Sequence, residues 1–375
     1  MAYKFISSSI CSSAKSKAVA AVASAGIVAT LSMRPAPVAR MEAARGVSGV
    51  KLRKVSSMPE TSFPQCKAKW ETNLSGKMDS DVQQAAEAAK KIGWIPWEEQ
   101  TLAEIRTGCI QGLAACAQQD KALYWSQQAT VDSIAIPASS SASQVDSTLL
   151  LRVYKPKGSV DSVAQNIKRP LIMFFHGGGF CICDPIEIFD YACKRLAAMT
   201  GCIVCSVQYR QAPEFPFPAA PEDCFHATTW CVEHASELGG DPSLVATCGD
   251  SAGGNLAAVV ALMARDKGYP KISLQVCLCP ITDWDFTTPS YKEFAGPTSS
   301  PDLHAAHMHW YARRYLLKPS DITNPLAAPL RAESLQGVAP GVVVNAEFDA
   351  LRSEGEAYAK RLAEVGRLIR CTTYP

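Results

Sequence analysis

The second half of this chain repeats two hydrophobic patterns in turn. Short apolar runs bounded by Gly, Pro or polar residues predict buried strands, whereas apolar side chains at three- and four-residue spacing predict helices. Strands are predicted over 148–154, 171–175, 202–207, 244–248, 272–278, 341–346 and 368–373, and helices over 81–92, 98–117, 187–199, 221–238, 255–265, 301–317 and 354–365. Because strands and helices alternate from residue 171 onward, we expect an α/β fold with a mainly parallel, doubly wound sheet.

The N-terminal part of the chain has a different composition. Residues 1–41 contain no Asp or Glu, carry five basic residues and are rich in Ser and Ala. This composition resembles an organelle transit segment and favours an intracellular, organellar location; a secretory signal and a disordered tail stay open as alternatives. Residues 18–33 are too short and too rich in Ala to span a bilayer stably. We expect a leader and linker over 1–78 and one large α/β domain over 79–375.

Charge and cysteine content limit the classes of partner. The 37 basic and 35 acidic residues give a formal net charge of +2, so no basic field indicates nucleic acid. The 15 cysteines are odd in number and spread through predicted strands and helices, which favours reduced, buried thiols. Cys181/Cys183 and Cys277/Cys279 lack the four-ligand spacing of a zinc site. We expect no metal and no cofactor, and a substrate that is not highly charged.

A serine stands between a predicted strand and a predicted helix, in the run Gly-Asp-Ser-Ala-Gly-Gly over residues 249–254. A nucleophile at such an elbow needs small residues two positions before and after it, because the strand end and the helix start come into contact there. Gly249 and Gly253 meet that need. A small turn before a helix is the alternative explanation. The pattern predicts that Ser251 is an activated nucleophile near a helix N-terminus, where a developing negative charge is favoured.

A second glycine-rich run, His-Gly-Gly-Gly-Phe over 176–180, ends the predicted strand 171–175. Backbone N–H groups at this position supply the oxyanion hole of acyl-transfer enzymes. We expect the donors to be Gly177, Gly178 and Ala252. In enzymes with a serine at such an elbow, the histidine that acts as the catalytic base follows the serine in the chain. His176 precedes Ser251, so it is predicted to hold the glycine loop in place.

Asp349 follows the predicted strand 341–346, at the carboxyl edge where catalytic groups collect. Its role would be to orient a catalytic histidine and to stabilise the imidazolium that this histidine forms. Glu347 is the alternative candidate for the same role. His304, His307 and His309 are predicted to lie on a partly exposed helical face and to bind no metal. The aromatic residues of the same helix line an acyl pocket or belong to the core, and both alternatives stay open.

These motifs resemble the hormone-sensitive-lipase family of α/β-hydrolases, the carboxylesterases of the G-D-S-A-G type. The likeness extends to Tyr-Arg-Gln-Ala-Pro-Glu at 209–214 and Asp-Ala-Leu-Arg at 349–352, and covers roughly residues 80–375. It implies Ser251 as the nucleophile, Asp349 as the triad acid, Gly177, Gly178 and Ala252 as the oxyanion hole, and cap elements near 79–130 and 283–320. It also implies small-molecule ester substrates of short to medium chain length.

The sequence departs from this family at its end. In the family, the strand equivalent to 368–374 is followed by a G-x-x-H-G-F loop carrying the base and by a last helix, whereas no histidine follows residue 309 here. The resemblance therefore implies a C-terminally truncated form of an active esterase, with no catalytic histidine and little activity in these 375 residues. The alternative is an inactive small-molecule receptor of the gibberellin-receptor type, but such receptors carry serine at the position of Gly179.

Overall fold

Nine strands of the described residues form one mainly parallel sheet. The computed structural model describes residues 68–72, 76, 97–117, 128–138, 148–157, 168–183, 188–296 and 303–375. The strands are β1 (Lys69–Thr72), β2 (Ala129–Pro137), β3 (Thr148–Pro156), β4 (Arg169–Phe175), β5 (Ile203–Gln208), β6 (Gly240–Asp250), β7 (Leu274–Leu278), β8 (Gly341–Ala346) and β9 (Leu368–Tyr374). Their order across the sheet is β1-β9-β8-β7-β6-β4-β5-β3-β2, and β3 pairs antiparallel with both β2 and β5.

The helices follow the strands in alternation over the second half of the chain. They are α1 (Leu102–Ala117), α2 (Asp190–Thr200), α3 (Ala219–Glu233), α4 (Ala235–Leu238), α5 (Ala252–Lys267), α6 (Pro289–Glu293), α7 (Ala305–Tyr315) and α8 (Arg352–Glu364), with 3₁₀ turns at Trp97–Glu99, Pro319–Thr323 and Pro329–Arg331. The expected doubly wound α/β architecture is confirmed.

The strand order reverses at β4. The chain passes from β4 to β5 on one side and then returns to β6 on the other side of β4, and Phe175 at the end of β4 pairs with Gly249 near the end of β6. In open α/β sheets such a switch point opens a crevice at the carboxyl ends of the strands. The segments that leave β4 and β6 are the two glycine-rich runs, so the topology brings them side by side.

Both faces of the central strands are buried. Along β4, Leu171, Met173 and Phe175 belong to one apolar cluster, whereas Ile172 and Phe174 belong to a second cluster on the opposite face. This is the near-continuous apolar pattern of a parallel strand covered on both sides. The central strands, including their carboxyl ends, are consequently held by apolar packing on both faces of the sheet.

The structure differs from the sequence-based elements at both edges of the sheet. β1 lies inside the stretch predicted as leader and linker, yet it pairs in parallel with β9, so the sheet begins upstream of the predicted boundary at residue 79. β2 was not predicted; its mixed polar and apolar residues suit an exposed edge, and it pairs with β3 along its whole length. The predicted helix 221–238 is two helices that meet at His234. The predicted helix 81–92 and residues 1–67 lie outside the described residues.

Candidate active site

Ser251 occupies the turn between β6 and α5 with a backbone conformation that non-glycine residues rarely adopt, φ 55° and ψ −118°. Neighbouring backbone groups hold it there. Its N–H donates to Leu278 O at 2.8 Å, and its carbonyl accepts from Asn255 N at 3.0 Å and from Ile281 N at 3.2 Å. The side chain is half-buried at the N-terminus of a 16-residue helix, where the helix dipole favours negative charge.

The glycines beside the serine are required by close backbone contacts. A Cβ on Gly253 would lie 1.9 Å from Phe175 O, and one on Gly249 would lie 2.3 Å from Gly253 O and 2.4 Å from Phe175 O. These neighbours are backbone atoms, which cannot rotate away. The end of β4 therefore packs directly on the elbow, and any side chain at either glycine would separate the two segments.

The glycine loop that leaves β4 is tied to the elbow by Asp250. The N–H of Gly177 donates to Asp250 Oδ1 at 3.0 Å, and Asp250 is buried. The amide expected as an oxyanion donor is thus already used by a carboxylate. In the described part of the chain, the hydrogen bonds include none donated by the amides of Gly178, Gly179 or Ala252. Gly178 and Gly179 have φ of 116° and 55°, a backbone course that only glycine adopts without strain.

His176 lies fully buried beneath this loop. Its Nδ1–H donates to Gly177 O at 2.7 Å, and its ring stacks on Tyr209 with centroids 4.2 Å apart. Tyr209 Oη donates to His176 O at 2.8 Å. Burial raises the pKa of Tyr209 well above its usual value, so the phenol stays a neutral donor. These contacts agree with a role in shaping the loop.

The run Tyr-Arg-Gln-Ala-Pro-Glu at 209–214 supports the same loop. Ala212 N–H donates to Phe180 O and the Gln211 side-chain amide donates to Cys183 O, both at 2.8 Å. Arg210 in turn forms a bidentate pair with the buried carboxylate of Asp223 at 2.8 and 2.7 Å. The sequence pointed to this run only through the family resemblance; its contacts now supply a physical reason.

Asp349 lies just after β8 at the carboxyl edge, half-buried. Its Oδ1 accepts the Leu351 N–H at 2.9 Å and its carbonyl accepts the Arg352 N–H at 3.1 Å, which fixes it at the start of α8. Glu347 faces another way: its N–H donates to Tyr374 O at 2.6 Å and its Oε1 accepts the Gly76 N–H at 3.1 Å. Glu347 therefore makes its hydrogen bonds to β9 and to Gly76, whereas Asp349 makes its own at the start of α8.

Helix α7 closes over the glycine loop. A Cβ on Gly179 would lie 2.2 Å from Tyr311 Cδ1, so the Tyr311 ring covers that residue, and Tyr315 stacks on Phe180 at 3.8 Å. The prediction that His304 and His307 lie on a partly exposed face is wrong. Both side chains are buried and their rings stack with centroids 3.9 Å apart, and the Trp97 ring packs on His307 with centroids 4.1 Å apart. Only His309 of the three is exposed. The described residues hold no group of three or more metal-ligating side chains.

Comparison with known proteins agrees with this geometry. Residues 172–375 match the family model of the α/β-hydrolase fold. The chain belongs to this family. Its relatives place it with the hormone-sensitive-lipase-like carboxylesterases: it is 41% identical to the esterase LipI of Mycobacterium tuberculosis over 57% of this chain and 65% of LipI, and 36% identical to the carboxylesterase NlhH of the same species over 60% and 68%. The chain therefore spans slightly less than two thirds of LipI.

Solved structures give the same result. A thermostable esterase from Pseudomonas putida superposes with a TM-score of 0.69 at 33% identity, covering 78% of this chain and 85% of that one. The hyperthermophilic esterase of Pyrobaculum calidifontis superposes with a TM-score of 0.67 at 32% identity, covering 79% and 90%. Within the described residues, none of the helices combines the length and the apolar character that a membrane span requires.

Proposed function

We propose that this protein is a serine carboxylesterase that cleaves small esters through an acyl-enzyme on Ser251. The observation that carries the proposal is the Ser251 elbow, whose strained backbone is locked at a helix N-terminus beside the glycine loop. Attack of the serine hydroxyl on an ester carbonyl creates an oxyanion, and preorganised N–H groups stabilise it. The esterase names of the relatives support a small ester as the substrate.

For the oxyanion hole we propose the amides of Gly178, Gly179 and Ala252. Gly178 and Ala252 keep the role that the sequence indicated, whereas Gly177 is replaced because its N–H already donates to Asp250. Each donor of this kind contributes roughly 10²–10³ in rate. In this arrangement Asp250 positions the loop that carries the donors.

For the acid we propose Asp349. Tyr374, at the end of β9, accepts the Glu347 N–H, so the chain leaving β9 emerges beside the Asp349 loop. A histidine carried directly after β9 would enter next to Asp349, where the family resemblance places the base. It would take the Ser251 proton and return it to the leaving alcohol.

The receptor alternative gains no support from the site. Gly179, which corresponds to a serine in those receptors, adopts φ 55° and lies under the Tyr311 ring without room for a Cβ. LipI and NlhH, to which the chain is similar, are esterases by name.

Hydrolysis of p-nitrophenyl acetate and butyrate by the full-length protein tests the proposal. We expect Ser251→Ala to lower kcat by roughly 10⁶-fold and Asp349→Asn by roughly 10⁴-fold, because the Asn amide holds the wrong imidazole tautomer. Glu347→Gln is the matched control and should retain most of the activity. Hydrolysis unchanged by Ser251→Ala would refute the assignment, and loss with Glu347→Gln but not with Asp349→Asn would exchange the acids. Circular dichroism checks that each variant is folded.

A further inference from the structure

Two thiols meet where helix α1 packs on the glycine loop. Cys109 Sγ lies 3.3 Å from Cys183 Sγ, although the residues are 74 positions apart in sequence, and both side chains are half-buried. A disulfide bond is about 2.05 Å long, so the two sulfurs are separate thiols that need an approach of roughly 1 Å to bond. The sequence, in which the cysteines looked like isolated buried thiols, gave no sign of this pair.

Both thiols are held in place by hydrogen bonds of their neighbours. Arg106, three residues before Cys109 on α1, donates from Nε to Cys181 O at 2.9 Å and forms a bidentate pair with Glu214 at 2.7 and 2.8 Å. Gln211 Nε2 donates to Cys183 O at 2.8 Å. These hydrogen bonds fix the helix and the loop on either side of the sulfur–sulfur contact. The two thiols are therefore held close to each other in the folded protein.

The pair also touches the site. A Cβ on Gly178 would lie 2.9 Å from Cys183 Sγ, so this sulfur packs on the glycine whose amide we assign to the oxyanion hole. Cys183 itself has φ 76°, an unusual conformation for a residue with a side chain. Movement of Cys183 Sγ toward Cys109 would withdraw the packing that supports Gly178.

Other thiols of the same region differ in reactivity. Burial raises the pKa of Cys181 to about 12 and that of Cys224 well above its usual value, and both side chains are inaccessible. Because the thiolate is the reactive form, such cysteines resist exchange. Half-buried Cys109 and Cys183 are reachable by a small disulfide.

We propose that Cys109 and Cys183 form a reversible disulfide that fastens helix α1 to the glycine loop and switches the site off. One protein thiolate attacks a low-molecular-weight disulfide, whose S–S bond breaks and releases one thiolate. The second protein thiolate attacks the resulting mixed disulfide and releases the other. Two protein S–H bonds are replaced by one S–S bond, two electrons pass to the oxidant, and two protons pass to solvent.

Peptide mapping tests the bond itself. The purified 375-residue chain is incubated with oxidised glutathione, alkylated, digested without reduction and analysed by mass spectrometry, before and after dithiothreitol. We expect a Cys109–Cys183 linked peptide that disappears on reduction, and no such peptide in Cys109→Ser. Cys279→Ser, which removes another half-buried thiol, is the matched control and should still form the link. Separate glutathione adducts on Cys109 and Cys183 in a folded protein would overturn the proposal.

The melting temperature gives a second readout. Closing a loop of this length restricts the unfolded chain, so oxidation should raise Tm by about 5 °C in the wild type and leave Tm of Cys109→Ser unchanged. Equal shifts in both would show that the oxidant acts elsewhere. Cys183→Ser repeats the comparison from the other side of the pair, in case the helix variant is poorly folded.

The effect on hydrolysis rests on the proposed esterase function. Oxidation should lower p-nitrophenyl acetate hydrolysis at least about tenfold in the full-length wild type and not in Cys109→Ser, as expected for a displaced oxyanion donor. A linked but equally active protein would refute the switch. Absence of hydrolysis in the reduced protein would count against the esterase function alone, since the peptide map decides the disulfide independently.

Discussion

Ser251 stores backbone strain that its surroundings sustain. A non-glycine residue in this conformation costs about 1–3 kcal/mol, and the hydrogen bonds to Leu278, Asn255 and Ile281 keep it from relaxing. Part of the stability of the fold is thus spent on holding a half-buried hydroxyl at the helix N-terminus.

Replacement of Ser251 by glycine and by alanine should show how much the backbone strain at this position lowers the stability of the fold. We expect Ser251→Gly to raise the free energy of unfolding by about 1 kcal/mol, because glycine adopts positive φ without a Cβ clash. Ser251→Ala retains the Cβ and should leave the stability near that of the wild type. Urea denaturation followed by circular dichroism measures both. Equal stabilities of the glycine and alanine variants would show that the elbow is not strained.

At the scale of elements, the sequence revealed the parts of the site that local rules determine. The strand, elbow and helix around Ser251 are contiguous, and the need for glycine at 249 and 253 follows from the tight turn alone. Other features depend on partners distant in sequence. The hydrogen bond from Gly177 to Asp250 joins residues 73 positions apart, and the Trp97 ring that packs on His307 comes from a distant part of the sequence. No periodicity encodes such contacts.

Helix α8 carries a carboxyl group whose pKa differs between the folded and the unfolded protein. Glu354, in its first turn, is 1% exposed, and its Oε1 accepts the Thr282 N–H at 2.8 Å. Burial raises the pKa of this carboxyl well above its usual value, despite the hydrogen bond from Thr282. The folded protein therefore holds a proton that the unfolded chain releases above about pH 4.5.

This raised pKa fixes the sign of a pH effect. The stabilising contribution of protonated Glu354 is complete below the unfolded pKa and is lost as pH rises toward the folded pKa, at up to about 1.4 kcal/mol per pH unit. Glu354→Gln keeps the acceptor for Thr282 and removes the titration. We expect the stability of the wild type relative to this variant to fall between pH 5 and pH 8 in urea denaturation. Parallel curves for the two proteins would contradict the assignment.

At the scale of the whole molecule, the sheet order explains why the motifs converge. The switch at β4 places the glycine loop beside the Ser251 elbow, and β7 and β8 follow on the far side of β6, so Asp349 emerges at the same edge. The alternation of strands and helices was enough to predict this parallel centre. The edges were not predicted: β1 is only four residues long, and β2 mixes its β-branched residues with polar ones, so neither forms the continuous apolar run that marks the central strands.

The position of β1 allows the domain boundary predicted at residue 79 to be tested by measuring stability. Its four residues pair with 370–373 of β9, and Glu71 forms an ion pair with Arg370. A chain that begins at Ala68 retains all nine strands, whereas one that begins at Asp79 loses β1 and leaves unpaired the N–H and C=O groups on that side of β9, while the pairing of β9 with β8 is retained. We expect the shorter chain to lose about 2–4 kcal/mol of stability and to aggregate sooner, since an unprotected strand edge recruits other chains.

Thermal melts with light scattering compare the two truncated chains with the 375-residue protein. Glu71→Gln in the longer chain is the matched control: it removes the ion pair but not the strand, and at a partly exposed pair it should cost about 1 kcal/mol or less. If both truncated chains melt alike, β1 contributes nothing and the boundary predicted at residue 79 stands. If only the shorter chain is destabilised, the segment before that boundary is a structural part of the hydrolase sheet.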